Sequence, residues 1–320
     1  VEQLDAAYVP SEGENVLDMR AMATDKQETA RGPRFYTEVP LEAKVRIVAQ
    51  GPREGLTLTE QRYTSSPTLP EEALHVFFTL AISNGWTIEQ GDVEAAFLNG
   101  VDLERKLLLR APKCGLPAIP GVCDAVPAGT MFRCLKSVYG LNDAPNPWGR
   151  RHAQGMIEGG GTESVLAPRT LFWWFSNEGN LVGMVGTHVD DDLFAGSAWW
   201  RTHVLPKLRR TFAYAKWADG STPYVHLGRR VIQTPECITV DQEEYCLGLK
   251  QIELPKDRKG DAGASATPQE VSAVRAGSGK VAWTVKTRLD TLARLGAIQQ
   301  EASSAKSAEA GVRGQTWNIS

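Results

Sequence analysis

Cysteine is scarce. Five occur in 320 residues, an odd number, at positions 114, 123, 134, 237 and 246, and no two form a C-x-x-C pair. That spacing supports neither a disulfide framework nor a zinc site, and with no His near Cys114 and Cys123 in sequence, plain thiols in a reducing, intracellular compartment are the expectation. Long apolar runs are also missing. No stretch approaches the roughly 20 residues of a membrane-spanning helix. The opening Val1-Glu2-Gln3-Leu4-Asp5 has neither the basic nor the apolar region of a secretory signal. No membrane partner is expected. Nor is there an excess of one charge: 35 Lys and Arg stand against 38 Asp and Glu, for a net charge of -3. The whole-chain balance thus lacks the basic excess usual in nucleic-acid binders. What is present is ordinary globular material, 42% hydrophobic and 23% charged.

The order of elements points to an α+β fold. Residues 1–40 read as a polar, weakly patterned arm. Ala43 to Gly51 alternates in part and stops at Gly-Pro, a strand whose Lys44 and Arg46 project from one face. Thr68-Leu69-Pro70-Glu71 has the form of a capping box ahead of a buried helix over Ala73 to Ile82, ended by Asn84-Gly85. A strand from Trp86 to Val93 places Gln90 and Asp92 on one face. Residues 111–129 form a Pro- and Gly-rich loop, 131–138 a strand, and Pro145 opens a helix that ends by Gly159. Leu171–Phe175 and Leu181–Val189 read as a hairpin, Asp190-Asp191-Asp192 as the next tight turn, and Leu193–Gly196 as a third strand. Helices are expected over 198–212 and 268–300, with a polar tail in the final twenty residues. Helices mixed with antiparallel hairpins argue against a doubly wound parallel sheet.

Two features ask for chemistry: Asp92 at a strand end, and the acidic tip His188-Val189-Asp190-Asp191-Asp192. Adjacent carboxylates in a tight turn raise each other's pKa unless a cation is present. Mg²⁺ removes that cost, taking one or two carboxylates plus water and substrate phosphates. The plain alternative is a surface turn, since Asp favours turn positions.

Six segments in colinear order resemble one family, the Ty1/copia-type retrotransposon reverse transcriptases. They are Lys44 to Gly51, Asp92 to Gly100, Leu135 to Pro145 with Trp148, His188 to Gly196, His226 to Arg230, and Ser272 to Asp290. The resemblance implies a right-hand polymerase with fingers, an antiparallel-sheet palm and a partial thumb. It divides the chain into an arm (1–40), fingers and palm (41–255) and a partial thumb with a polar tail (256–320), with no ribonuclease H domain following. It implies an RNA-directed DNA polymerase that joins a dNTP to a primer 3′-hydroxyl on an RNA or DNA template. Other parts of a retroelement polyprotein are the implied partners. Asp92, Asp190 and Asp191 would hold two Mg²⁺ ions, with Mn²⁺ able to stand in. Val93 would lie beside the metals. Phe97 would be the steric gate against a 2′-hydroxyl. Tyr139, Gly140 and Pro145 would support template and nucleotide. Lys44 and Arg46 would reach the triphosphate, and Lys216 the leaving pyrophosphate. Read without the resemblance, Phe97, Tyr139 and Trp148 are equally core rings, and Lys44 with Arg46 an exposed strand face.

The departures support an alternative, a truncated and inactive relic that keeps the fold and binds nucleic acid. His188 stands where the family has Tyr. Asp192 adds a third carboxylate where an apolar residue is common, which should disturb the turn. Pro147 stands at a polar helix position, Leu289 replaces a Pro, Gly277-Ser278 should loosen a helix, and Met19-Arg20-Ala21-Met22 replaces a Trp-rich strand. Against the global charge, residues 201–216 carry Arg201, Lys207, Arg209, Arg210 and Lys216 with no acid, and Arg150 and Arg151 follow Pro145. Phosphate contact depends on such local basic faces.

Overall fold

The computed structural model describes residues 1–25, 43–54, 64, 67–118, 121, 123–252 and 267–303. The far part of the N-terminal arm, the stretch after Glu54 and the polar tail beyond Ser303 lie outside the described residues. The chain forms two compact units, Val1–Asp219 and Gly220–Ser320.

The first unit runs β1 (Glu2–Gln3), β2 (Val16–Asp25), β3 (Ala43–Ala49), α1 (Glu71–Ser83), β4 (Glu89–Val93), β5 (Leu108–Arg110), β6 (Met131–Arg133) and α2 (Pro145–Glu158). It continues with β7 (Thr162–Glu163), β8 (Leu171–Phe175), β9 (Leu181–His188), β10 (Asp191–Gly196), α3 (Ala198–His203), α4 (Leu205–Thr211) and β11 (Tyr214–Ala218). One sheet has the order β1-β6-β5-β2-β3, the other β11-β4-β10-β9-β8-β7. All neighbours in the second sheet are antiparallel; in the first, only β2 and β5 run parallel. A mixed α and β architecture with several sheets agrees with the sequence reading.

Helices cover both faces of the larger sheet, because its strands are apolar on both sides. Phe194, Val185 and Phe172 are cross-strand partners and join Trp148, Met156, Trp200, Leu208 and Phe212 in one buried cluster, so α2, α3 and α4 lie on that face. One residue along, Leu193 pairs with Gly186, which lies against Leu69 and Phe77, so α1 covers the opposite face.

Several local expectations change. Residues 16–25 are a strand and not a loose arm: Leu17 is buried and Met19 packs on the same cluster, while β2 pairs along its length with β3 from Met19↔Ala49 to Asp25↔Ala43. Alternation hidden among polar residues built that strand. Thr68 does not cap α1. The N-cap is Pro70, without a side-chain bond, so Glu71 is the first helical residue and too early to complete a box. Thr68 instead bridges His188 at the end of β9. The acidic turn consists of Val189 and Asp190; Asp191 and Asp192 are already in β10. The strand expected over 131–138 ends at Arg133. Residues 198–212 form two helices, α4 starting with Pro206 in its first turn. Pro147 also falls in the first turn of α2, where a missing N–H breaks no helical bond.

The second unit holds an antiparallel sheet of β12 (Tyr224–His226), β13 (Arg229–Gln233) and β14 (Ile238–Asp241), then α5 (Glu243–Leu247), α6 (Pro268–Thr284) and α7 (Leu292–Ser303). The single helix expected over 268–300 is thus two, separated by a 3-10 turn at Leu289–Thr291. A capping box of Thr267 and Glu270 starts α6. Gly277 does not loosen it: a Cβ there would stand 2.8 Å from Ile252, so the glycine permits close packing.

Candidate active site

The β4 strand is central in its neighbourhood, with β10 on one side and β11 on the other. Its register sets Asp92 directly opposite Asp191 of β10 and opposite Lys216 of β11. Directly opposed residues in antiparallel strands share a face, with Cβ atoms about 5 Å apart. Asp191, Asp92 and Lys216 therefore form one row. Gln90, two residues before Asp92, shares that face, and its Nε2 lies 3.5 Å from Asp191 Oδ1.

Asp190 occupies the turn between the paired His188 and Asp191. Val189, first in the turn, has φ +64°, a left-handed conformation that costs a β-branched residue about 1–3 kcal/mol. Hydrogen bonds from three directions hold it. Val189 N–H donates to Pro67 O (3.2 Å), Trp148 Nε1 donates to Val189 O (2.6 Å), and Val93 N–H donates to Asp190 O (2.8 Å). The last bond also fixes where Val93 lies: its amide is against the turn and its side chain is buried.

The carboxylates depress one another's ionisation. Burial raises the Asp190 pKa, and Asp92 and Asp192 push it further, with Arg46 opposing. Asp191 rises to about 6, through burial and then the charges of Asp190 and Asp92, with the Gln90 bond opposing. Among the described residues no three Asp, Glu, His or Cys side chains converge enough to hold an ion unaided. The donors that face one another are hard carboxylate oxygens, the partial set that suits Mg²⁺ when phosphates and water complete its shell.

Other predicted residues gather around this row. Ala95, at φ +50°, turns the chain out of β4 into a short 3-10 helix, Ala96–Asn99, which carries Phe97. The Phe97 and Tyr139 rings meet at 5.1 Å between centroids, tilted by 58°. The Tyr139 pKa is raised, first by burial and then by Asp190, with Arg46 opposing and Asp92 adding, so all four groups share one electrostatic neighbourhood. Gly140 has φ +93°, and a Cβ on it would stand 2.1 Å from Ala49 O. A Cβ on Gly51 would stand 2.2 Å from Gly140 O. The end of β3 and the Tyr139 turn therefore touch backbone to backbone, joined by Ala49 N–H to Tyr139 O at 2.8 Å and Gly51 N–H to Gly140 O at 3.1 Å. This contact places Arg46 near the acids. Pro145 is the first residue of α2. Lys44 is exposed on β3, and among the described residues no ion pair joins its ammonium to the row. Arg46 and Tyr139 also line a cavity of about 1250 Å³, together with Val45, Leu98 and Leu135.

Three arrangements had no clear sign in the sequence. Asp192 does not disturb the turn. It points to the opposite face from Asp191 and is fully buried, with Oδ2 2.9 Å from His152 Nε2 and 2.7 Å from the Tyr214 hydroxyl that donates to it. Strand alternation alone could have placed it there. Trp148 and His152 are one helical turn apart, so a single stripe of α2 holds both the turn and β10. The third is a half-buried ion cluster: Arg105 takes Asp143 with two bonds (2.6 and 3.0 Å) and Glu54 with one (3.3 Å). It braces the segment between Tyr139 and α2 against the loop after β3.

Against known proteins, the family model described as "Reverse transcriptase (RNA-dependent DNA polymerase)" matches residues 35–259. The chain is 27% identical over 232 residues to the "Retrovirus-related Pol polyprotein from transposon RE2" of Arabidopsis thaliana, covering 72% of this chain and 14% of that protein. To the corresponding RE1 polyprotein of the same plant it is 27% identical over 209 residues, covering 64% and 13%. To that of transposon TNT 1-94 of Nicotiana tabacum it is 28% identical over 155 residues, covering 48% and 11%. The chain thus spans about one seventh of the length of the first of these relatives.

Proposed function

Because the chain belongs to the reverse transcriptase (RNA-dependent DNA polymerase) family, we propose that it is the polymerase segment of a copia-like retroelement polyprotein, extending a primer with dNTPs on an RNA or DNA template. The observation that carries this reading is the row Asp191–Asp92–Lys216 with Asp190 in the adjoining turn. In this reading residues 41–255 hold fingers and palm, the larger sheet being the palm, and residues 256–320 belong to a partial thumb. The compact-unit boundary after Asp219 falls inside the former.

Asp92, Asp190 and Asp191 would hold two Mg²⁺ ions, or Mn²⁺ in their place. Bound there, the ions supply charge stabilisation to the attacking and leaving oxygens of an in-line displacement. The chain's own side chains do the rest. Lys216 meets the negative charge that develops on the departing pyrophosphate, and Arg46 attracts the triphosphate from the opposite side. Lys44 adds longer-range attraction. Phe97, braced by Tyr139, occupies the space a 2′-hydroxyl would need. Gly140 lets β3 approach, and Pro145 starts the helix that carries Trp148 to the turn. Val93 anchors the turn through its amide.

The relic alternative draws little from the departures. Asp192 has partners on the far face, Pro147 sits in a permitted turn and Gly277 is packed. The test is extension of a primer on a polypurine RNA template with Mg²⁺ and dNTPs, beside an Asp190→Asn control. Extension by the unaltered chain and a loss of about 10³-fold or more in the variant are expected. Extension in both, or in neither, overturns the reading.

A further inference from the structure

Outside the carboxylate site, the segment after β10 is unusual. From Leu193 to Ala218 it contains Arg201, Lys207, Arg209, Arg210 and Lys216, three tryptophans, and no acidic residue. Its helices α3 and α4 bury one stripe, Trp200, Val204 and Leu208, in the core. Trp199, His203, Lys207 and Arg210 fall at helical spacing on the stripe beside it, about 100° round the helix, and all are exposed.

Trp199 is the anomaly. Its side chain is 56% exposed, although an indole is among the largest apolar surfaces a protein can bury. It is also held in place. The His203 ring stacks on it at 5.2 Å and 17°, and His203 Nδ1 lies 2.9 Å from the Trp199 carbonyl. One side of the indole is thus backed by a fixed ring, and the side chain still presents much of its surface to solvent. Such a prepared ring needs little ordering on contact with another flat group.

Apart from Arg201, which Glu89 pairs, the charge around it is not cancelled by ion pairs among the described residues. Glu89 is nearly buried and already engaged, by Arg201 Nη2 at 2.7 Å and by Trp217 Nε1 at 2.8 Å. Arg209 lies over the Trp217 ring at 4.1 Å, a cation–π contact that leaves its charge without a carboxylate partner among the described residues. Glu158, at the end of α2, faces Arg151 at 3.9 Å. No ion pair to Lys207 or Arg210 occurs among the described residues.

We propose that this ridge is a second nucleic-acid contact, for a single strand, with bases stacking on Trp199 and phosphates running along Lys207, Arg209 and Arg210. Stacking rings beside a basic track are what sequence-independent single-strand binding uses. A duplex hides its base faces and offers Trp199 nothing to stack on. The ridge lies on the face of the larger sheet that α2, α3 and α4 cover, opposite to the face that Asp92 and Asp191 share. Binding there does not depend on the polymerase reading.

The experiment is anisotropy of a short fluorescein-labelled oligothymidylate with the full chain, in EDTA and without dNTPs, over a range of salt concentrations. Trp199→Ala should weaken binding about tenfold with the salt slope unchanged, because stacking and not charge is lost. Trp199→Phe should keep most of the affinity. Lys207→Gln with Arg210→Gln should lower the salt slope by about 1.4, since each single-strand phosphate contact contributes about 0.7. A blunt duplex of equal length should not discriminate Trp199→Ala from the unaltered chain. Equal oligonucleotide binding by all variants, or equal loss on duplex, overturns the proposal. So does competition by an oligoglutamate as strong as by unlabelled oligonucleotide, which would make the partner an acidic protein. Asp190→Asn should bind as the unaltered chain does, so an inactive polymerase would leave this result intact. Circular dichroism of each variant guards against unfolding.

Discussion

Trp148 reaches from the first turn of α2 to donate its indole N–H to the carbonyl of Val189 at 2.6 Å. The bond crosses from a helix to the one turn residue whose backbone is strained, and Trp148 is itself fully buried. Trp148→Phe keeps a ring in the core and removes only the donor. A buried carbonyl left without its partner costs about 1–3 kcal/mol. Urea unfolding should show that loss, and primer extension should fall with it, because the freed turn carries Asp190. Unchanged extension in a destabilised variant would separate the turn's geometry from activity.

The buried His152–Asp192 pair gives a second prediction. Removing one partner of a buried hydrogen-bonded pair leaves the other unsatisfied, at a cost of about 1–3 kcal/mol, whereas replacing both by apolar groups of similar shape can be nearly neutral. Asp192→Leu and His152→Phe should each destabilise strongly. The double variant should recover only the part that belongs to the pair, because the Tyr214 hydroxyl still loses its acceptor. A double-mutant cycle in urea reads the coupling directly; additive effects would mean that the contact is incidental.

The acidic row predicts a pH response of definite sign. Asp191 titrates near 6 in the folded chain against an ordinary 3.8. Between those values the folded state binds more protons than the unfolded one, so this group's contribution to stability is lost as pH rises from about 4 to about 6. In chelator, Tm of the unaltered chain should fall across that window relative to Asp191→Asn. Mg²⁺ should raise Tm at pH 7.5 and have little effect at pH 4.5, where protons already hold the site. Identical pH profiles for the two proteins would show that the carboxylate is not perturbed.

Glycine tests can distinguish backbone conformation from crowding. Gly179, in the β8–β9 turn, has φ +84° and open space around it; Gly140 has φ +93° and a carbonyl oxygen 2.1 Å from where a Cβ would be. Gly179→Ala should cost only the left-handed penalty, about 1–2 kcal/mol. Gly140→Ala adds a backbone collision and should cost clearly more, seen as a larger drop in Tm and less soluble protein.

Phe97 supplies a prediction about substrate choice. Phe97→Ala should raise ribonucleotide incorporation relative to deoxyribonucleotide by about tenfold or more, compared as kcat/KM for rNTP and dNTP. Tyr139→Ala should give part of the same effect, since its ring holds Phe97 at 5.1 Å. Unchanged discrimination in both would return Phe97 to the status of a core ring.

Much of this was legible because it rests on short-range rules. Alternation put Gln90 and Asp92 on one face, and Asn84-Gly85 did end α1, with Gly85 at φ +64°. Thr68 and Glu71 have the spacing of a capping box, but the helix starts two residues later and Thr68 bridges His188 instead. Asp192 reads from sequence as a disturbance, whereas a carboxylate's cost depends on what it meets. His152 and Tyr214, the groups that hold it, come from a helix and a strand remote in sequence. The strand at residues 16–25 was hidden for a similar reason: its partner β3 and its parallel neighbour β5 supply the order that its own composition only hints at. Register is a pairwise quantity, and one sequence shows only half of each pair.

The position of β4 has a consequence for how the chain is made. Both of its partners, β10 and β11, are synthesised roughly a hundred residues or more after it, a separation that slows pairing. Until Ala218 has left the ribosome, Asp92 has no complete set of neighbours, and the strand that carries it presents unpaired edges. A nascent chain interrupted before that point would expose a sticky β4 instead of a half-built catalyst. Premature stops within residues 100–213 should therefore yield aggregates and not soluble intermediates.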